Sequence, residues 1–231
     1  VRSSGNKMND NVVNKKSFLS QVTEIVKTNI RNIIILLSLC FVLFLSFQIY
    51  SFYISNKIQK NSISFFAAQN TDDTNVITNT ITKLSNDNTF YGVLAKLELI
   101  DLTLKQNNIE DSISMYLEVI NQNNLESVYK SAIASKASYQ LIDINFENLS
   151  LNYLNIINDF ISYIDDETAS YRGIKLELKY LIKILEAEKN SIDYSSSNEV
   201  NDIYENIMSS DVVSSAIKER VNKIHEFYSN K

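Results

Sequence analysis

Residues 33–54 form one apolar run with solvated sequence on both sides, and that run limits what the rest of the chain can be. Ile33-Ile34-Ile35-Leu36-Leu37-Ser38-Leu39-Cys40-Phe41-Val42-Leu43-Phe44-Leu45 continues to Tyr53 and Ile54 without a charge. At a rise of about 1.5 Å per residue, roughly 20 such residues cross the roughly 30 Å hydrocarbon core of a bilayer. Backbone amides in lipid have no water to bond, so the run is expected to be one continuous helix. Lys15, Lys16, Lys27 and Arg31 precede it, against Lys57 and Lys60 after it. That asymmetry predicts an N-terminus inside and the bulk of the chain outside, and Tyr50 and Tyr53 fall where an interfacial aromatic belt would form. A cleaved signal peptide is the competing reading. The run is longer than an h-region and no A-x-A site follows, which favours an uncleaved signal anchor. Leu37-Ser38-Leu39-Cys40 departs from a lipoprotein box, because Leu39 is large and Cys40 lies mid-span. Phe18, Val22, Ile25 and Val26, with Lys15, Lys16 and Lys27 nearby, make a short amphipathic face. It either lies along the inner leaflet or extends the membrane helix.

Beyond the span about 175 residues remain, enough for one domain with a real core. The chain has no Pro, no Trp and three Gly among 231 residues. Cys40 is the only cysteine, so the outer domain has no disulfide, thiolate metal site or thiol nucleophile. From residue 57 onward 16 Lys and Arg stand against 25 Asp and Glu, a net charge of −9. That charge argues against nucleic acid and against flat binding to anionic lipid.

Little in the sequence points to catalysis. His225 is the only histidine, which excludes a His-based metal site or triad within one chain, and it reads as a helix-surface residue. Asp165-Asp166-Glu167 precedes a helical pattern and is expected to favour the positive end of that helix rather than hold a cation. Glu186, Glu188 and Lys189 read as a solvated helix face. Gly5, Gly92 and Gly173 are isolated, so no phosphate loop exists. Gly92 permits tight contact at the start of its helix, or is simply tolerated there. Asn148-Leu149-Ser150 matches a glycosylation sequon to which a bacterial-looking chain gives little weight. A membrane-anchored hydrolase built on Asp165 and Asp166 needs two acids converging in a pocket, and nothing in the sequence brings such a pair together. No catalytic, cofactor-binding or metal-ligating residue is therefore assigned, and the expectation is a non-enzyme with no cofactor.

The apolar residues recur at helical spacing. Ile109, Ile113, Tyr116, Leu117 and Ile120 make one stripe; Leu149, Tyr153, Ile156, Ile157, Phe160, Ile161 and Ile164 make another. Ile174, Leu178, Leu181, Ile182 and Leu185 form a third, and Val213, Ile217, Val221, Ile224 and Tyr228 the last. Turns fall on Asn, Asp and Ser clusters. Ser196 with Glu199 fits a capping box, and Ser210 or Asp211 is a natural N-cap for the terminal helix. No segment sustains strand alternation, so the fold class is all-α.

These helices pair. Asn107-Asn108 separates 93–105 from 109–120, and Asn121-Gln122-Asn123-Asn124 separates that pair from 128–142 and 149–164. A third pair, 168–188 and 199–209, precedes a closing helix over 212–228. Hairpins at a period near 34 residues are the signature of tetratricopeptide (TPR) arrays, which stack into a curved solenoid with a concave surface. Residues 93–126 lie on the TPR consensus without a gap: Ser112 falls where the motif prefers Ala, and Tyr116 where it prefers an aromatic. Ile100 stands where the motif has Gly, Val119 where it has Ala, and the closing Pro is missing. That predicts wider or irregular packing, a degenerate TPR-like helical-hairpin solenoid, with a generic helical bundle as the alternative. The chain then divides into a cytoplasmic tail with the amphipathic segment (1–30), a transmembrane helix (31–55), a spacer and first helix (56–88) and a TPR-like repeat domain (89–231).

Thr89-Phe90-Tyr91-Gly92-Val93-Leu94-Ala95-Lys96-Leu97-Glu98-Leu99 resembles the Tyr-Gly-x-Leu-Ala-x-Leu-Glu-Leu stretch of the YfgM family, ancillary subunits of the SecYEG translocon. Ser210-Asp211-Val212-Val213-Ser214-Ser215-Ala216-Ile217-Lys218-Glu219-Arg220-Val221-Asn222-Lys223-Ile224 is similar to that family's final helix. By residues the resemblance covers about 84–120 and the last twenty; over 145–201 only the helix pattern matches. It implies a bacterial inner-membrane protein crossing once, N-terminus cytoplasmic and repeats periplasmic. It further implies a non-catalytic repeat domain that contacts the Sec translocon and periplasmic chaperones and assists secreted proteins. An envelope or cell-division scaffold with the same repeats is the alternative. Two stretches are candidates for binding. Ser131, Ala132, Ala134, Ser135, Ala137 and Ser138 allow close helix approach, which core packing explains first. Tyr129, Tyr139, Tyr153, Tyr163, Tyr171, Tyr180, Tyr194 and Tyr204 suit either interface or core.

Overall fold

The computed structural model describes residues 18–123, 125–149, 152–167, 169–191 and 197–230, with the side chains of 18–22, 24–26, 169 and 170 outside that description. Every regular element among the described residues is a helix. The chain separates into two compact units, Val1–Lys60 and Asn61–Lys231. The Ser196 half of the proposed capping box, Tyr194 and Ser150 of the sequon lie outside the described residues.

Helix α1, Phe18–Gln69, passes through both units. Asn29 leaves helical geometry (φ −113°, ψ 15°) and breaks the helix just before the apolar run. From there the helix is long and apolar enough to cross a membrane. Within the run the large side chains are uncovered: Phe41, Phe44, Phe47 and Phe52 are all more than half exposed. Ser46, one of the polar residues of the run, donates its hydroxyl to the Val42 carbonyl at 2.9 Å, which keeps that hydroxyl satisfied without water. With neither Pro nor Gly between 54 and 69, nothing stops the helix at the end of the run. The amphipathic face expected on Phe18, Val22, Ile25 and Val26 falls on side chains outside the description.

In the second unit α2 (Thr74–Ser85) packs on α3 (Phe90–Lys105) as a lead-in to the hairpins, the first of which α3 opens. α4 (Ile109–Ile120), α5 (Ser127–Glu147), α6 (Leu154–Ser162), α7 (Ala169–Lys189), α8 (Asn198–Ser209) and α9 (Ser215–Ser229) follow. Neighbours in sequence pack on one another, and α5 also packs along α7 and α7 along α9. The main core joins α3 to α7 through Ile100, Ile113, Tyr116, Ile133, Phe160 and Leu178. A second gathers Tyr180, Ile184, Val200, Ile207 and Val221 from α7 to α9. A third holds the end of α1 against α2 and α3 through Phe65, Ala68, Ile81 and Ala95.

Caps set the boundaries, and several differ from the sequence reading: α5, expected over 128–142, runs on to Glu147. Leu149 and Tyr153 lie before α6: Asn148 turns extended (φ −141°, ψ 92°), and the Tyr153 carbonyl accepts the first helical bond from Ile157 at 2.8 Å. Tyr153 still packs on the core, so the stripe is right while the helix is shorter. α9 starts at Ser215, because Ser214 supplies the cap and its Oγ accepts the Ile217 N–H. Ser210 instead closes α8, its N–H bonding the Asn206 carbonyl at 3.1 Å. Asp211 caps nothing. Ala132 is exposed, unlike Ser131, Ala134, Ser135, Ala137 and Ser138, which are buried.

The turn between α3 and α4 uses Asn107 in the left-handed region (φ 59°), and Asn108 donates back to the Thr103 carbonyl at 3.1 Å. The turn between α2 and α3 is tighter. Thr89 Oγ1 accepts from Gly92 N–H (3.2 Å) and from Asn61 Nδ2 (3.0 Å), and Asn61 Nδ2 also reaches Asp87 Oδ2 at 2.8 Å. A Cβ on Gly92 would sit 1.9 Å from the Asp87 carbonyl oxygen, so this glycine is required by backbone contact. Gly92→Ala has to push the turn open, and a loss of about 2 kcal/mol is expected, in the range of overpacked sites. Urea unfolding of the full chain in detergent, followed by helical circular dichroism, measures it.

Candidate functional site

The first helices of successive hairpins, α3, α5, α7 and α9, are tied in a row by polar side chains. On α3, Asp101 accepts from Lys136 Nζ (2.7 Å) and from Gln140 Nε2 (3.1 Å) on α5. The Oε1 of Gln140 in turn accepts the Tyr116 hydroxyl from α4. Farther along, the Tyr139 hydroxyl donates to Glu177 Oε2 on α7 at 2.7 Å. Arg220 of α9 grips the same carboxylate through Nε (2.9 Å to Oε1) and Nη2 (2.7 Å to Oε2). Glu177 is only 2% exposed. Burial and then the Glu177 charge hold the Tyr139 hydroxyl well above the usual phenol range, so it stays a donor.

Beside Asp101 and Gln140 a groove of about 730 Å³ opens between the C-terminal halves of α3 and α5. Leu104, Ile109 and Ile144 supply its apolar surface. Glu98, Asp101, Asp143 and Glu147 stand around that surface against a single ammonium, Lys105. Burial, and next the charge of Glu147, raises the Asp143 carboxyl above the ordinary carboxylate value. Its lining combines apolar surface with a strong charge bias. The sequence reading did not find it, because its walls come from helices about 40 residues apart. The available signal was α5 itself: Gln140, Asp143, Ile144 and Glu147 recur at helical spacing on one face, and that face mixes an apolar residue with carboxylates.

The residues singled out from sequence are dispersed. The ring of His225 stacks on Tyr204 at 3.7 Å, with Nδ1 3.4 Å from the Tyr180 hydroxyl. Asp166 pairs with Lys175 at 3.2 Å, and Asp165 takes the Glu167 N–H on its own carboxylate. Asp165 and Asp166 are thus committed to local contacts. Glu186 joins Lys183, which also holds Glu199 of α8 at 2.8 Å. Among the described residues no group of His, Cys, Asp and Glu could hold a metal ion. Ser131, Ala134, Ser135, Ala137 and Ser138 lie in the core. Of the tyrosines, Tyr180 is sealed and Tyr129 and Tyr163 are exposed. The other described ones, Tyr139, Tyr153, Tyr171 and Tyr204, are half-buried.

Two expectations follow. Replacing Arg220 by Met leaves Glu177 a sealed carboxylate with only Tyr139, costing about 2 kcal/mol, and the pair Glu177→Leu with Arg220→Met recovers most of it. Urea midpoints of the two variants decide this. For His225, burial lowers the ring's pKa below its ordinary value and Glu226 opposes that more weakly. The unfolded chain therefore binds the proton more readily, so stability is full above the unfolded value near 6.5 and falls as pH drops through it. Unfolding midpoints at pH 7.5 and 5.5 should show a smaller acid-side loss for His225→Phe than for the unaltered chain. Compared with protein-family profiles, with curated proteins and with solved structures, the chain matches none.

Proposed function

We propose that this chain is a membrane-anchored, non-catalytic scaffold whose TPR-like helical hairpins bind other proteins. The observation that carries the reading is a division of labour along one chain. One helix exposes apolar side chains over the length of a bilayer, and a separate packed unit offers an open groove. Exposed apolar surface on that scale marks a lipid or protein interface rather than a solvated face. The rows of first and second helices support a TPR-like solenoid. Tyr153 and Tyr163, which bond Glu110 and Asn121, link the second helices as Asp101 and Glu177 link the first. Packing at Ile100 and Val119, both fully buried, departs from the small residues of that motif.

The basic residues on the N-terminal side of the span support an N-terminus in the cytoplasm and repeats in the periplasm. The resemblance of 89–99 to the YfgM family supplies the partner class: the SecYEG-type translocon and periplasmic chaperones, with secreted chains as clients. Anchoring raises the effective concentration of the groove near those chains, so weak contacts suffice. The test is photo-crosslinking in cells from probes in the span and on α3 and α5. Crosslinks from the span to the secretory channel are expected, and replacing residues 33–54 with an unrelated span should abolish them. Unchanged association after that replacement, or crosslinks only to division or envelope-assembly proteins, overturns the translocon partner.

A further inference from the structure

We propose that the groove between α3 and α5 receives a short basic segment of a partner protein, its aliphatic side chains on Leu104, Ile109 and Ile144 and its Lys or Arg side chains among the surrounding carboxylates. This rests on the scaffold reading above and names the site and the chemistry it selects.

Volume and lining come first. A recess of about 730 Å³ lies within the range of roughly 300–1,000 Å³ that takes a compact ligand or a few residues of a peptide, not a folded domain. Leu104, Ile109 and Ile144 are each packed against the main core on one side and left half-covered on the other.

Charge then selects the occupant. Glu98, Asp143 and Glu147 have no ion-pair partner among the described residues, whereas Asp101 is taken by Lys136. Asp143 and Glu147 are also placed against local electrostatics. They repel at i, i+4, and they occupy the last two turns of α5, the negative end of the helix, where no basic residue answers them. An arriving cation relieves both conflicts at once. A metal ion does not, because the carboxylates are spread along the groove and form no ligand cluster. A second copy of the chain is repelled, since residues 61–231 carry 25 acidic against 14 basic residues. Phosphate-bearing lipids and nucleic acids are repelled by the same field. A basic, partly aliphatic peptide matches lining and charge together.

The probe is a fluorescently labelled eight-residue peptide of alternating lysine and leucine, with its glutamate-for-lysine counterpart. Both are titrated against the full-length protein in phosphatidylcholine nanodiscs, with empty nanodiscs subtracted. The lysine peptide is expected to bind at least about tenfold more tightly than the glutamate one and to weaken as salt rises. The double variant Asp143→Asn with Glu147→Gln should weaken it about fivefold, as expected for two partly exposed ion pairs. Ile144→Ser should weaken both peptides, and Glu205→Gln, on α8, neither. Helical circular dichroism certifies that each variant is folded. Equal binding of the two peptides, or binding unaltered by the double variant, overturns the groove assignment. It leaves the scaffold reading standing if crosslinks from the span persist. Loss of span-dependent association with intact groove binding overturns the translocon partner alone.

Discussion

The Glu177 carboxylate is the contact on which the register of the hairpins depends. Sealing a carboxylate from water costs several kcal/mol unless its oxygens are fully engaged. Here both are, by Arg220 from α9 and Tyr139 from α5, around a residue that sits on α7. Apolar packing is non-directional and tolerates sliding of one helix along another. The fork of a guanidinium on a carboxylate does not, since both bonds form only at one axial position. Three helices that are not consecutive in sequence are thus held in one alignment by one anion.

Around that node the packing is uneven in a way that explains why α5 can touch so many neighbours. Ile100 and Val119 fill space that smaller side chains would leave for close approach. The small residues are on α5 instead: Ser131, Ala134, Ser135, Ala137 and Ser138 line its buried face, so α4, α6 and α7 can all reach it. Each of the three serine hydroxyls has a hydrogen-bond partner. Ser135 and Ser138 donate to the carbonyls four residues back at 2.7 and 2.8 Å, and Ser131 Oγ accepts the Asp165 N–H at 2.9 Å. Ser131 therefore combines small volume with a fixed loop contact.

Helix existence was legible in the sequence because burial imposes a period, and the stripes on Ile113, Phe160, Leu178 and Ile217 are buried as that period requires. Helix ends were less legible. Val213 is buried one residue before the Ser214 cap, and Tyr153 packs on the core from a loop, so apolar periodicity overran both starts. Ser210, Asp211 and Ser214 are all competent caps; which one acts is decided by where α8 stops. The requirement for Gly92 was half visible, since a glycine opening a helix allows close contact, but the Asp87 carbonyl that enforces it is a tertiary fact. The groove was invisible for a simpler reason. Glu98 and Asp143 lie about 45 residues apart in sequence and line one groove only when α3 and α5 are laid side by side.

The placement of those acids bears on how a tethered binder would work. Asp143 and Glu147 break two local preferences of their own helix, each by a few tenths of a kcal/mol. A helix standing alone would be shortened by that conflict. α5 is not alone: Leu141, Ile142 and Asn145, on the opposite side of the same turns, are almost fully buried. Packing on one face thus fixes repelling charges on the other. An electrostatic conflict held in place by a rigid core is preorganised for an opposite charge, because no side chain has to be gathered when the ligand arrives. Such a groove gains selectivity for basic segments mainly from charge and remains weak for any single segment, since its carboxylates reach water and are screened. Weak, selective and salt-sensitive binding has little use for a protein diffusing freely. On the proposed reading, with the groove confined to a membrane surface, such binding would be enough to hold a passing segment briefly and release it.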